Sequence, residues 1–138
     1  MKNSSYGLSV IALLVLFCAV GCGDKVQLRG TVTFSDDGSP LTVGTVIFST
    51  ETLEARGELQ ADGTYTLSSD RAGDGLPPGK YQVYIRDAYQ YERVGPVDNP
   101  TDVPVPQIHS KYSNPESSGI EVDVSSSLKT YDFKVDRP

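Results

Sequence analysis

Residues 55–67 read ARGELQADGTYTL, and this stretch decides the fold. Two short runs of alternating apolar and polar residues, 55–59 and 64–67, flank the turn residues Ala61-Asp62-Gly63. An Asp-Gly pair between two such runs is a strong hairpin signal, because glycine adopts the positive φ that a tight turn needs. The alternation has a period of two, so each run is expected to bury one face only. The stretch therefore predicts two strands joined by a tight turn.

The same pattern continues on both sides of this stretch. Upstream, residues 26–34 alternate in the same way, and residues 45–49 place Val46 and Phe48 on one face. Downstream, prolines 77 and 78 with Gly79 precede a strand near 81–85, and further alternating runs cover 120–124 and 131–135. Seven short strands without a convincing helix predict an all-β fold, a seven-stranded Greek-key-like β-sandwich over residues 26–138.

One segment, residues 88–118, breaks the pattern. It shows no regular periodicity and contains five prolines. An irregular segment of about thirty residues is unusual in a compact domain and is often functional. Three interpretations stay open, one of which is that the segment is disordered. In the other two, the segment is a long irregular arm packed along one sheet, where it covers an edge, or it is a binding loop.

Four tyrosines are the candidate binding residues. Tyr84, Tyr89 and Tyr91 cluster where the fifth strand runs into the irregular segment, and Tyr112 lies further along it. Tyr84 has the opposite parity to the apolar residues of its strand, so we expect it on the other side of the sheet. Exposed tyrosines stack on sugars or form protein-binding hot spots. The alternative is that the segment itself covers them.

Residues 1–21 have the parts of an export signal. Lys2 gives the positive start, and the apolar core 8–20 is shorter than the roughly 20 residues that span a membrane. The following motif, Ala19-Val20-Gly21-Cys22, resembles the lipobox of bacterial lipoproteins, with alanine where leucine is usual. The resemblance implies a lipoprotein signal peptide, cleavage before Cys22, and palmitate-type acylation of that cysteine. An ordinary secretory signal with a free Cys22 thiol is the alternative.

Acylation predicts where the chain resides. Residues 22–25 then form the lipidated cysteine and a short tether, and acyl chains hold the domain at about 0.8 kcal/mol per buried methylene. We expect an exported chain, anchored to a bacterial membrane on its periplasmic or cell-surface face. Without residues 1–21 the chain has 11 basic and 18 acidic residues. This acidic balance argues against nucleic acid as a partner, since nucleic-acid binding needs clustered basic residues.

The composition also excludes most catalytic chemistry. His109 is the single histidine of the chain. With the expected processing, Cys18 leaves with the signal and Cys22 is consumed by lipid. Zinc and copper sites need several His or Cys ligands, so we expect neither a metal site nor a cofactor. A Gly-x-Ser-x-Gly nucleophile motif is also missing from the sequence. We therefore expect no enzymatic activity and no catalytic residues.

Several short motifs resemble one domain family in their order and spacing. The opening Gly30-Thr31-Val32, the hairpin 62–67 (DGTYTL) and the strand entry 76–81 (LPPGKY) are similar to those of carboxypeptidase regulatory-like, or transthyretin-like, β-sandwich domains. Residues 108–112 (IHSKY) and 118–120 resemble the ending of a group of small bacterial lipoproteins with this domain. The resemblance implies a seven-stranded sandwich that acts as an accessory or binding module.

Together these observations predict a lipid-anchored extracytoplasmic module that binds or supports other components of the cell envelope. Its expected partners are the membrane, through the acyl chains, and an envelope protein or polysaccharide. Two alternatives stay open: a carrier or sensor of a small ligand held under the irregular segment, and an accessory domain to an envelope enzyme.

Overall fold

A computed structural model describes residues 24–138 of the chain. The predicted signal segment and Cys22 lie outside the described residues. The described part contains nine strands, a short 3-10 helix η1 and a one-turn helix α1. In chain order these are β1 (Arg29–Phe34), β2 (Thr45–Ser49), β3 (Glu54–Glu58), β4 (Thr64–Thr66), β5 (Gly79–Arg86), β6 (Tyr89–Val94), β7 (Thr101–Pro106), η1 (Ser110–Ser113), α1 (Pro115–Ser118), β8 (Ile120–Val124) and β9 (Phe133–Val135).

Seven of the strands form the two sheets of a β-sandwich. One sheet has the order β4-β1-β9, and the other has the order β3-β2-β5-β8. Neighbouring strands pair in antiparallel fashion except β1 and β9, which are parallel. These seven strands, β1–β5 with β8 and β9, correspond to the seven runs that the sequence indicates. The prediction of an all-β sandwich is therefore confirmed.

A single apolar core fills the space between the two sheets. Val32 and Tyr65 enter it from the three-stranded sheet, and Phe48 and Val83 enter it from the four-stranded sheet. The ring of Phe48 meets the ring of Tyr131 edge-on, with the centroids 5.9 Å apart. Full burial of an apolar side chain of this size contributes about 1.5–3 kcal/mol. The period-two alternation of the strands thus becomes the inner faces of the sandwich.

The Asp-Gly turn forms as predicted. Gly63 has φ +78° and donates its N–H to the Gln60 carbonyl at 2.9 Å. The strands that flank this turn, however, belong to different sheets, since β3 pairs with β2 and β4 pairs with β1. The chain on the two sides of the turn is joined by a bridge between Arg56 and Ser68 and by a hydrogen bond from the Gln60 N–H to the Thr64 carbonyl at 2.9 Å. The turn therefore carries the chain from one sheet to the other at the edge of the sandwich.

The expectation of an irregular segment at 88–118 is corrected by the structure. Residues 89–106, which we term the hairpin arm, form the antiparallel pair β6–β7. Residues 107–118 instead pack on the sandwich, where Ile108 and Tyr112 join the core. The interpretation of a packed segment thus fits 107–118 and not the hairpin arm. The arm was missed because its two strands are exposed on both faces, so no alternation marks them.

Candidate functional site

The hairpin arm is built so that its prolines fit the strand pairing. Gln107 donates its N–H to the Ala88 carbonyl at 2.8 Å, so Ala88 and Gln107 form a hydrogen-bonded pair. Along an antiparallel ladder, hydrogen-bonded pairs alternate with pairs that share no hydrogen bond. Gln90–Val105 and Glu92–Val103 are then hydrogen-bonded pairs. Pro104 and Pro106 fall at the intervening positions, where a strand needs no N–H directed at its partner.

The alternation gives the hairpin arm two different faces. One face, which we term the tyrosine face, carries aromatic, proline and charged residues: Tyr89, Tyr91, Arg93, Asp102, Pro104 and Pro106. The rings of Tyr89 and Tyr91 meet edge-on with centroids 5.5 Å apart. On the same face, Arg93 donates a hydrogen bond from Nε to the Asp102 carboxylate at 3.1 Å. The opposite face is formed by Gln90, Glu92, Val94, Thr101, Val103 and Val105.

Apolar side chains on the hairpin arm are open to solvent. Tyr91 is 65% exposed, and Val97 at the tip of the arm is 96% exposed. Among residues 24–138, the other exposed large apolar residues are Val94 and Val103. All four lie on the hairpin arm, with Tyr91 on the tyrosine face and Val94 and Val103 on the opposite face, so no other element of the described residues offers comparable exposed apolar surface. The hairpin arm is therefore the candidate functional site.

Two of the four candidate tyrosines lie elsewhere and are buried. Tyr84 faces away from the core, as its parity predicts, but it keeps only 4% of its surface exposed. Its hydroxyl donates to Glu54 at 3.0 Å and accepts from Arg86 at 2.7 Å. Tyr112 packs in the core and donates to Asp136 at 2.9 Å. Burial keeps both rings from a ligand, so the candidate site retains Tyr89 and Tyr91 only.

The charged groups around Tyr84 shift each other's pKa. Arg56 and the Tyr84 hydroxyl hold the pKa of Glu54 below its usual value against the effect of burial. Burial, followed by the nearby Glu54 carboxylate, raises the pKa of Tyr84. Each polar group of the cluster thus has a partner within the cluster, and the arrangement stabilises the outer face of the four-stranded sheet.

The other end of the sandwich holds the beginning of the described chain. Val26 and Leu76 exchange backbone hydrogen bonds of 2.7 and 3.0 Å. Next to them, the Lys25 ammonium donates to Asp70 and, at 2.6 Å, to Asp74. Lys25 and three backbone N–H groups hold the pKa of Asp74 far below its usual range. The chain is therefore held in place from Lys25 onward, three residues after Cys22.

The entry of the chain and the hairpin arm lie at opposite ends of β5. Leu76, the partner of Val26, comes just before β5 begins at Gly79, whereas the arm follows its end at Arg86. Asp87 turns the chain from β5 into the arm with φ +57°, a conformation that aspartate tolerates better than most residues. Eight residues of strand separate the two ends by about 25 Å.

A cleft lies at the base of the hairpin arm. Its volume is about 540 Å³, and its lining includes Ala88, Tyr89, Ile108, Ser113 and Pro138. Small-molecule sites commonly have volumes of about 300–1,000 Å³. The cleft is thus large enough for a small ligand under the arm.

Several carboxylates of the described residues have local partners. Arg137 binds Asp36 at 2.9 Å and Asp37 at 3.1 Å, and hydrogen bonds from Ser39 lower the pKa of Asp37 to about 2. His109 accepts a hydrogen bond from the Lys111 N–H at 3.2 Å, which caps η1. Within residues 24–138 no three His, Cys, Asp or Glu side chains converge as metal ligands would. Nor is any helix of this range both long and apolar enough to cross a membrane.

Comparison with known proteins gives distant structural similarity only. No protein-family model matches the chain, and no curated protein matches it significantly. The major pilin subunit of Bacillus cereus (BcpA) is similar over 82% of this chain at 13% identity, with a TM-score of 0.45. A 9R-lipoxygenase from Cyanothece PCC8801 is similar over 80% of this chain at 15% identity, with a TM-score of 0.34. The chain spans 30% of the pilin subunit and 16% of the lipoxygenase.

Proposed function

We propose that this chain is a lipid-anchored, extracytoplasmic binding module of the cell envelope, without catalytic activity, and that it binds its partner through the hairpin arm. In this proposal the chain is processed after Gly21 and acylated on Cys22, as the lipobox motif indicates. The proposed partner is an envelope protein or a polysaccharide, and the proposed family is that of the carboxypeptidase regulatory-like domains.

The observation that carries the proposal is the exposure of the arm at one end of the sandwich. Tyr91 is 65% exposed beside Tyr89, although tyrosine usually covers much of its ring in a folded domain. Tyrosine gives a large, rigid contact area with a polar tip, which suits both protein hot spots and sugar rings. The Arg93–Asp102 pair adds polar groups at the margin of the same face.

The position of the chain entry supports presentation of the arm away from the membrane. Only Gly23 and Asp24 lie between Cys22 and the ion-paired Lys25, a reach of about 10 Å. A lipid on Cys22 would therefore hold the Val26 end of the sandwich against the bilayer. The arm begins about 25 Å away, beyond the other end of β5.

A double substitution of the tyrosine face tests this proposal. Tyr89→Ala with Tyr91→Ala should abolish crosslinking of the arm to its envelope partner in intact cells, as identified by mass spectrometry, and binding of purified wall polysaccharide. The matched control is Gln90→Ala with Glu92→Ala on the opposite face of the same strand. Equal crosslinking and polysaccharide binding in both variants would contradict a role for the tyrosine face.

The cleft at the base of the arm supports a second candidate, a carrier or sensor of a small ligand. A ligand that binds the folded chain only raises its melting temperature by mass action. Screening of envelope metabolites by thermal shift should then find a stabilising compound, and Ser113→Trp, which fills the cleft from an exposed position, should remove the shift. If a compound stabilised the parent chain and the Ser113→Trp variant equally, its binding site would lie outside the cleft.

A further inference from the structure

The outer edge of β6 carries backbone groups that have no partner strand. Because Gln90 and Glu92 point their backbone groups at β7, the N–H groups of Tyr91 and Arg93 point away from it. The Tyr89 N–H also points away from β7, and it donates to the Asp87 carbonyl at 2.9 Å. In the described part of the chain, β7 is the one strand that pairs with β6. The edge of β6 is therefore open to a further strand.

The outer edge of β7 is closed to the same kind of pairing. Its outward positions are Asp102, Pro104 and Pro106, and proline has no N–H to donate. Prolines on an edge strand are a common protection against unwanted strand pairing. The hairpin arm thus has one protected edge and one unprotected edge.

We propose that β6 pairs with β6 of a second copy of this chain, antiparallel and about a two-fold axis at Tyr91. The pairing uses the strand edge, whereas the proposed partner binding uses the tyrosine face, so the two proposals are independent. Tyr91 bonds to Tyr91 of the second copy, and the Arg93 N–H donates to the Tyr89 carbonyl across the axis.

Charge complementarity favours this register. With the axis at Tyr91, Gln90 lies opposite Glu92 and Tyr89 lies opposite Arg93, so no like charges face each other and each Arg93 meets an aromatic ring. An axis at Glu92 would place two carboxylates directly opposite each other. An axis at Gln90 would pair Arg93 with Asp87, which lies outside the strand with φ +57°.

The resulting sheet has the order β7-β6-β6-β7 and ends at proline-bearing edges on both sides. The assembly therefore stops at a two-fold dimer and does not continue into a fibre. A two-stranded hairpin is marginally stable on its own in water, and each added strand contributes ladder hydrogen bonds and cross-strand side-chain contacts. Pairing thus supplies the hairpin arm with support that the sandwich does not give it.

Disulfide trapping tests the register. Full-length chains that carry Cys18→Ser and Cys22→Ser, so that neither lipid nor native thiols interfere, are given either Gln90→Cys or Glu92→Cys. The two positions oppose each other at a non-hydrogen-bonded pair, where the Cα atoms lie about 4.5 Å apart, within disulfide range. The mixture should form the heterodisulfide at least about tenfold faster than either variant alone forms its homodisulfide. Predominant homodisulfides, or rates equal to that of an exposed Val97→Cys control, would overturn the proposal.

A pair of substitutions at residue 91 tests the role of the edge. Tyr91→Pro removes the outward N–H but no ladder bond to β7, whereas Tyr91→Ala removes the ring and keeps the N–H. Sedimentation velocity over a range of concentrations should show a dimer that Tyr91→Pro weakens by about tenfold or more, since each of two symmetric bonds is lost. Tyr91→Ala should weaken the dimer much less than Tyr91→Pro does, although the two variants should have equal melting temperatures.

Three results would overturn the self-pairing. A chain that stays monomeric at every concentration has no such dimer. Equal weakening by Tyr91→Ala and Tyr91→Pro would assign the contact to the ring and not to the edge. Protection of the Tyr91 and Arg93 amides from hydrogen exchange only after another envelope protein is added would assign the edge to a foreign strand.

Discussion

Gly30 lies where the backbone of β1 closely approaches the chain before β9. A Cβ atom at this position would lie 1.8 Å from the Tyr131 carbonyl oxygen and 2.7 Å from the Tyr65 hydroxyl. That hydroxyl donates to the same carbonyl, and burial raises the pKa of Tyr65 strongly. Only glycine at position 30 therefore leaves room for the Tyr65 hydroxyl to reach the Tyr131 carbonyl.

Alanine at Gly30 should destabilise the sandwich strongly. The added methyl group must displace backbone, so we expect Gly30→Ala to lower the free energy of unfolding by about 3 kcal/mol in urea titrations. Gly38→Ala is the control, because a Cβ there meets no atom within 4 Å and only the positive φ of +71° is strained. It should cost about 1 kcal/mol. Equal losses in the two variants would contradict the close approach at Gly30.

Asp136 should make stability depend on pH. Lys111, Ser35 and Tyr112 donate to its carboxylate and hold its pKa far below the usual value. A carboxylate with a lowered folded-state pKa stabilises the fold above its unfolded pKa, and this stabilisation is lost as the pH falls through the folded-state pKa. Asp136→Asn should therefore lower the urea midpoint at pH 7. The difference from the parent chain should shrink below about pH 4; a difference that is constant with pH would exclude the ionised group as its cause.

At the scale of the elements, the alternating strands could be predicted from the sequence and the hairpin arm could not. Residues 45–49 and 120–124 match β2 and β8 in both bounds, because burial of one face imposes the period of two. The arm has no buried face, so that signal does not exist for it. The Asp-Gly turn was predictable, but the crossing between sheets that follows depends on long-range packing.

The candidate site was predictable only in part. Tyr89 and Tyr91 were found from their type and spacing, and the structure brings them together on one face. Tyr84 was grouped with them on sequence proximity, yet the turn at Asp87 separates its strand from the arm. The alternation of Val103, Pro104, Val105 and Pro106 was the available signal for an edge strand, since proline is tolerated there at every second position.

Removal of the arm should leave the sandwich folded. Replacing residues 90–105 by a short Gly-Ser turn keeps the Ala88–Gln107 hydrogen bond and removes no residue of the core. We expect the free energy of unfolding to change by about 0.5 kcal/mol or less, as is usual for exposed residues. A matched deletion within 107–118 removes Ile108 and Tyr112 from the core. That variant should not fold and should therefore show no cooperative unfolding transition. Loss of the folded state in the first variant would show that the arm supports the sandwich.

At the scale of the whole molecule, the two ends of β5 should lie at different depths above the membrane. Fluorophores attached through Ala72→Cys and Ser110→Cys occupy exposed positions at the entry end and at the arm end. In vesicles containing the acylated chain, a lipid-bound quencher should reduce the emission of the first label and leave the second unaffected, because about 25 Å of strand separates the ends. Equal quenching of both labels would contradict the proposed orientation.

The most direct test of the proposed anchoring is the intact mass of the chain isolated from its native membranes. A polypeptide that begins at Cys22 and carries diacylglyceryl and N-acyl groups is the result that we predict. A chain that still begins at Met1, or one that is recovered in the soluble fraction with an unmodified thiol at position 22, would contradict the proposal that this sandwich is held at the membrane by lipid.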